Sequence, residues 1–297
     1  MSDFSIRKPP EPVLPAGSSV PPPGGKIVRD GDKIAFVGDS ITNFGNRPDG
    51  FIHLVMEALE QAGLRNLSFL PGGVNGDRSN LVLKRLPGIL AQKPDLVILQ
   101  VGVNDVGWGE QGGVRLPQYK TNIRKMIGLC RNAGARILLV TPSMHSENPE
   151  AENNCRLSAY CDFLRAEAAG KRLPIADWNR EMHRVLAEGK IPGESGLLLT
   201  IDRLHLNGYG NLHLARTILA SSGVEQELTD RLSAQWRRRP SMAPVLNAWY
   251  DPAWKISMED YEILFRAAHA RGLTVEALMK RLVDDYIAGE KKKEVQR

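Results

Sequence analysis

Four short segments carry residues that could share one acyl-transfer reaction. The first is FVGDSITNFG, in which Ser40 follows Gly38 and Asp39 where the apolar run IAFV (34–37) stops. A serine at the start of a helix can offer its hydroxyl as a nucleophile and its own N–H to a developing anion. The same residues would also make an ordinary helix N-cap. The second segment is GGVNGDRSN, where Gly73 and Gly76 allow close backbone approach or a left-handed turn. The third is VGVNDVGWG, where Asn104 can donate its amide into a crevice or simply close an Asx turn. The fourth is IDRLHLNGYGNLHLA, where Asp202 precedes His205 by three residues. One turn at that spacing brings a carboxylate to an imidazole, and an oriented imidazole can take the proton that a neutral serine must lose. His145 is a further histidine to watch as a substrate contact. His53, His183, His213 and His269 read as structural.

The elements that must position these groups are legible from hydrophobic pattern. Apolar runs at 34–37, 67–70, 95–102, 136–142 and 173–178 alternate with helical patterns at about 50–63, 79–92, 117–134, 154–170 and 179–188. The runs between 95 and 142 are nearly continuous in leucine and β-branched residues, as strands buried on both faces are. Strand–helix alternation predicts a parallel sheet with right-handed crossovers, hence a three-layer α/β/α domain over residues 31–225. Functional loops of such sheets gather at the carboxyl ends of the strands, and the Ser40, Gly76 and Asn104 segments each follow a predicted strand.

Taken together, GDSI (38–41), NGD (75–77), GVND (102–105) and DRLHLN (202–207) resemble the four sequence blocks of SGNH (GDSL-like) hydrolases, over about residues 31–220. The resemblance implies a flavodoxin-like sheet of order 2-1-3-4-5. It implies Ser40 as nucleophile, His205 as general base and Asp202 as its orienting acid. It also implies an oxyanion hole made by the backbone N–H groups of Ser40 and Gly76 with the Asn104 amide. Gly76 is preferred to Gly73 because NGDRS fits the second block better. An acyl-enzyme route of this kind needs no metal or other cofactor, and no metal-ligand spacing such as H-E-x-x-H is present. An α/β-hydrolase would show a G-x-S-x-G elbow, which is absent. A nucleotide- or flavin-binding domain would show a phosphate loop, also absent.

The expected activity is hydrolysis of small esters, with deacetylation of a carbohydrate leading and lysophospholipid or thioester cleavage as alternatives. Gly107, Trp108 and Gly109 make a partly aromatic rim that suits a sugar ring or an acyl chain equally.

The flanks read differently. Residues 1–30 hold PPEPVLPAG and VPPPGG and read as an extended arm. Residues 226–253 read as a linker and 254–297 as a helical hairpin. The net charge is +5, and 13 Lys/Arg against 9 Asp/Glu in residues 231–297 place +4 of it there. A short strand over 254–258 followed by two helices also resembles ribbon-helix-helix modules, which would turn Lys255 and Ser257 toward DNA. The plainer reading is a hairpin that docks or forms a homodimer, or one that serves an interaction protein built on a hydrolase platform. No long apolar run or leader pattern is present, and the three cysteines suit no disulfide framework, so the expected location is the cytoplasm.

Overall fold

The computed structural model describes residues 19–20, 26–189, 197–239, 242 and 258–295. Its strands are β1 (Ser19–Val20), β2 (Lys33–Gly38), β3 (Ser68–Gly73), β4 (Leu96–Gln100), β5 (Arg136–Val140) and β6 (Ile175–Ala176). Helices α1 (Ser40–Phe44), α2 (Phe51–Gln61), α3 (Ser79–Leu90), α4 (Val103–Gly107), α5 (Gly109–Gly112) and α6 (Leu116–Asn132) come first. They are followed by α7 (Glu152–Lys171), α8 (Trp178–Gly189), α9 (Gly208–Ser221), α10 (Gln226–Trp236), α11 (Met258–His269) and α12 (Val275–Val295). The chain divides into two compact units, Met1–Asp251 and Pro252–Arg297.

The sheet order is β1-β6-β5-β4-β2-β3, and β2 to β6 are all parallel to their neighbours. Numbered among themselves, these five strands have the expected 2-1-3-4-5 order. Period-two alternation divides their side chains between two cores. Ile34, Phe36, Leu96, Ile98, Leu138 and Val140 join residues of α2, α8, α9 and α10. Ala35, Val37, Val97, Leu99, Ile137 and Leu139 join residues of α3, α6 and α7. Burying a Leu, Ile or Phe side chain contributes about 1.5–3 kcal/mol, so neither face of these strands tolerates a polar replacement.

The structure revises the flanks of this domain. The arm expected over 1–30 is not wholly separate: Ser19–Val20 pair antiparallel with β6, and Ile27 and Val28 are buried in the first core. Residues 226–236, expected within a linker, form α10. Trp236 is fully buried, and Arg239 binds Asp49 at 2.7 Å and Glu57 at 2.7 Å. A buried face of Thr229, Leu232, Ser233 and Trp236 commits that helix to the domain. The second unit is the helical pair α11 and α12, turned at Gly272, whose φ is +64°. Of the strand expected over 254–258, Met258 begins α11, and Lys255 and Ser257 lie outside the described residues. None of the described helices is long and apolar enough to cross a membrane. Cys130, Cys155 and Cys161 are free thiols.

Candidate active site

The parallel register brings the ends of β2, β3 and β4 level, since Gly38 pairs with Gly73 on one side and Gln100 on the other. Ser40, Gly76 and Asn104 follow those ends within two to four residues. Close packing is what the glycines permit. A Cβ at Gly38 would lie 2.1 Å from Thr42 Oγ1 and 2.3 Å from the Gln100 carbonyl. A Cβ at Gly73 would lie 2.2 Å from the Asn43 nitrogen, so Gly73 lets α1 sit on β3. Gly76 differs: it takes φ +77°, and a Cβ there would meet only Trp108 Cζ2 at 3.6 Å. The two candidate glycines therefore have separate jobs, and Gly76 has the turned, unobstructed backbone.

Ser40 opens α1, where the first N–H groups lack intrahelical acceptors. Asp39 caps that helix by accepting the Ile41 N–H at 2.9 Å. His205 Nε2 lies 2.9 Å from Ser40 Oγ, and its Nδ1 lies 2.6 Å from Asp202 Oδ2. With Nδ1–H donated to the carboxylate, Nε2 accepts the serine hydroxyl. Asp202 Oδ1 also accepts the backbone N–H groups of His205 at 2.7 Å and Leu204 at 3.1 Å. Burial works against the Asp202 charge, but these His205 and Leu204 hydrogen bonds outweigh it and hold the carboxyl below its ordinary range. The His205 ring lies 4.5 Å from the ring of Phe44.

The turn that carries Asp202 and His205 is held from both ends. Ile201 N–H donates to the His205 carbonyl at 2.8 Å, and Arg203 between them has φ +73°. Asn207 caps α9 by accepting the Gly210 N–H at 2.9 Å and donates to the Leu198 carbonyl at 3.0 Å. Glu147 was invisible to sequence reasoning. Its buried carboxylate accepts the N–H groups of Leu198, Leu199 and Thr200 at 2.7–2.8 Å and the Thr200 hydroxyl at 2.9 Å. A lone glutamate in a loop gives no local signal of this role, because its partners are mostly backbone donors about fifty residues away.

Asn104 sits on α4 rather than in a bare loop, because Gly102 at φ +144° turns the chain into a helix directly after β4. Its Nδ2 donates to the Asp77 carbonyl at 3.0 Å, and its Oδ1 accepts from Trp108 Nε1 at 3.3 Å. These two bonds fix which end of the amide is the donor, leaving the second Nδ2 hydrogen for another acceptor. Trp108 is 56% exposed, with the Arg78 guanidinium 5.4 Å over its ring. His145 braces this helix, with Nε2 2.8 Å from the Val103 carbonyl, and burial pushes its imidazole below its ordinary pKa against the pull of that hydrogen bond. Buried Asp105 accepts the Ser79 N–H at 2.9 Å and the Ser79 hydroxyl at 2.5 Å, tying α4 to α3.

Burial pushes the Asp39 carboxyl up to about 7, against the Ile41 N–H, and the charges of Asp105 and Asp77 push the same way. Burial likewise raises Asp105, to about 6. The folded protein therefore holds these protons where the unfolded chain, with carboxyls near 3.8, has lost them. Stability from Asp39 is full below about pH 4 and is lost as pH rises toward 7. Asp39→Asn keeps the oxygen that caps Ile41 and cannot ionise. The Tm of the variant relative to wild type should therefore rise steadily between pH 4 and pH 8. A flat difference would remove Asp39 from the titration.

Comparison with known proteins places this geometry among relatives. A model of the GDSL-like lipase/acylhydrolase family matches residues 36–212. An isoamyl acetate-hydrolyzing esterase of Saccharomyces cerevisiae is 28% identical over 167 residues, covering 52% of this chain and 68% of the relative. An acetylxylan esterase of Geobacillus stearothermophilus is 25% identical over 195 residues, covering 62% and 85%. A crystal structure of a catalytic mutant of Axe2, an acetylxylan esterase from Geobacillus stearothermophilus, superposes with a TM-score of 0.60 at 24% identity, over 67% of this chain and 97% of the other. LAE5, an alpha/beta hydrolase from the metagenome of Lake Arreo, gives a TM-score of 0.59 at 23% identity, over 67% and 99%.

Proposed function

We propose that this chain, which belongs to the GDSL-like lipase/acylhydrolase family, deacetylates a carbohydrate or a similarly hydroxylated small ester through an acyl-enzyme on Ser40. It is a carboxylic ester hydrolase. The observation that carries the residue assignment is the unbroken chain Asp202–His205–Ser40, with links of 2.6 and 2.9 Å at the carboxyl edge of the sheet. His205 takes the Ser40 proton as Oγ attacks the ester carbonyl, and Asp202 stabilises the resulting imidazolium. The tetrahedral oxyanion is met by the Ser40 N–H, the Gly76 N–H and Asn104 Nδ2. His205 then protonates the departing alcohol, and water repeats the sequence to release the acid. The acetate esters named for both curated relatives support a short acyl group.

Hydrolysis of p-nitrophenyl acetate and p-nitrophenyl octanoate tests the reading. Acetate should be strongly preferred, and a preference for octanoate would favour a lipase-type substrate instead. Asn104→Ala should lower kcat by roughly a hundredfold or more with little change in KM, because an oxyanion donor acts chiefly in the transition state. An unchanged kcat would remove Asn104 from that role.

Self-association through the second unit is part of the same proposal. Ile263, Leu282, Val283, Tyr286 and Ile287 are each 41–54% exposed, and the other large exposed apolar residues among those described are only Val74 and Trp108. The last four form one exposed stripe on α12, a contiguous patch rather than scattered surface residues. The stripe reads alike in both directions, so an antiparallel two-fold pairing would set Leu282 on the partner's Ile287 and Val283 on the partner's Tyr286. Light scattering should show a dimer at tens of micromolar, and Leu282→Glu with Tyr286→Glu should show a monomer with unchanged hydrolysis. A monomeric wild type would end this part of the proposal. The free thiols support the cytoplasmic placement, which remains part of the proposal.

A further inference from the structure

We propose that the concave surface between residues 145–153 and 202–204 is the subsite for the alcohol half of the ester, and that it takes a polyhydroxylated alcohol such as a sugar ring. The inference rests on the esterase reading and names which half of the substrate lies where. The cavity measures about 390 Å³, and six of its eight lining residues are polar or charged: His145, Ser146, Glu152, Asn153, Asp202 and Arg203.

Its position follows from the chemistry. The group that takes the serine proton must hand it to the leaving oxygen, so the alcohol half lies on the His205 side of the scissile bond. Asp202, Arg203 and Leu204, the residues immediately before His205, form one wall of the cavity. The opposite wall is the loop after β5 together with the first turn of α7. Gly76 and Trp108, which stand together over the ends of β3 and β4, do not line it.

The walls are fixed rather than loose. Ser146 has φ +49° and Arg203 has φ +73°, a conformation that side chains other than glycine adopt only when held there. They hold one another through Ser146 N–H to the Arg203 carbonyl at 2.7 Å. Asn154 accepts the His145 N–H at 2.7 Å and donates to the carbonyls of His145 and Asn148. Among the described residues, by contrast, the side chains of Glu152, Asn153 and Arg203 make no hydrogen bond or ion pair. One carboxylate, one amide and one guanidinium are thus uncommitted around a preformed hollow. Such a mixture of acceptors and donors suits hydroxyl groups, which do both, and offers little to an alkyl chain.

The test uses the full chain with glucose 6-O-acetate, which keeps its other hydroxyls free, as a polyol ester and p-nitrophenyl acetate as a flat apolar one. Glu152→Ala with Asn153→Ala should lower kcat/KM on glucose 6-O-acetate by about tenfold, mainly through KM, since two modest hydrogen bonds are lost. Hydrolysis of p-nitrophenyl acetate should change less than about twofold. Glu152→Gln, which keeps an acceptor, should recover part of the loss. Equal losses on both esters, or no loss on the sugar ester, would overturn the subsite. A wild type that cleaves p-nitrophenyl acetate but not glucose 6-O-acetate would overturn it while leaving the esterase reading intact. Inactivity on both would overturn the esterase reading itself.

Discussion

Ser40→Ala should lower kcat by on the order of 10⁵-fold, the largest effect any single side chain of this protein is expected to show. The variant loses one oxygen whose hydrogen-bond partner is His205 Nε2. It leaves the helix cap intact, because the Ile41 N–H is held by Asp39 and not by the serine. The protein should therefore fold with a nearly unchanged Tm, and KM should move little, since the hydroxyl contributes to bond making rather than to ground-state binding. A residual rate above that in water should survive, because the oxyanion donors still polarise a bound ester. The check is steady-state hydrolysis of p-nitrophenyl acetate beside a thermal melt. A folded variant within tenfold of wild type would end the nucleophile assignment.

Asp202→Asn should cost about 10⁴-fold in kcat. Here the geometry separates two duties of one carboxylate. Oδ1 accepts two backbone N–H groups and shapes the turn, and an asparagine oxygen can still do that. Oδ2 accepts Nδ1–H, and an amide NH₂ in its place cannot. The imidazole must then present an acceptor at Nδ1, which puts its proton on Nε2, facing the serine hydroxyl it should deprotonate. The turn survives and the tautomer is wrong, so stability should change far less than rate. Combining Asp202→Asn with Ser40→Ala should cost no more than Ser40→Ala alone, because the residues act as a unit. Additive losses would mean that Asp202 acts elsewhere.

Much of this was readable in the chain. Strands with both faces buried announce themselves, because Ile34 and Phe36 serve one core while Ala35 and Val37 serve the other, leaving no polar position between. The chemistry was readable because the parallel fold puts its functional groups just past such runs. What escaped was long-range and carried by backbone. Glu147 binds N–H groups, which every residue but proline has, so no side-chain pattern marks its partners. Trp108 read as a rim, and its bond to Asn104 Oδ1 depends on a helix that the loop pattern did not reveal. Arg239 fell in the stretch read as a linker, although its acidic partners Asp49 and Glu57 lie far upstream.

The Glu147 clamp also decides how this protein would wear out. One carboxylate serves four donors of one segment, so the four bonds are made or broken together, and the amides of Leu198, Leu199 and Thr200 should exchange their hydrogens as one cooperative unit. The same segment leads directly into Asp202 and His205. Opening it removes acid and base from the serine in a single event and draws Leu199 out of the first core, while the second core is untouched. On warming, activity should be lost before the sheet melts.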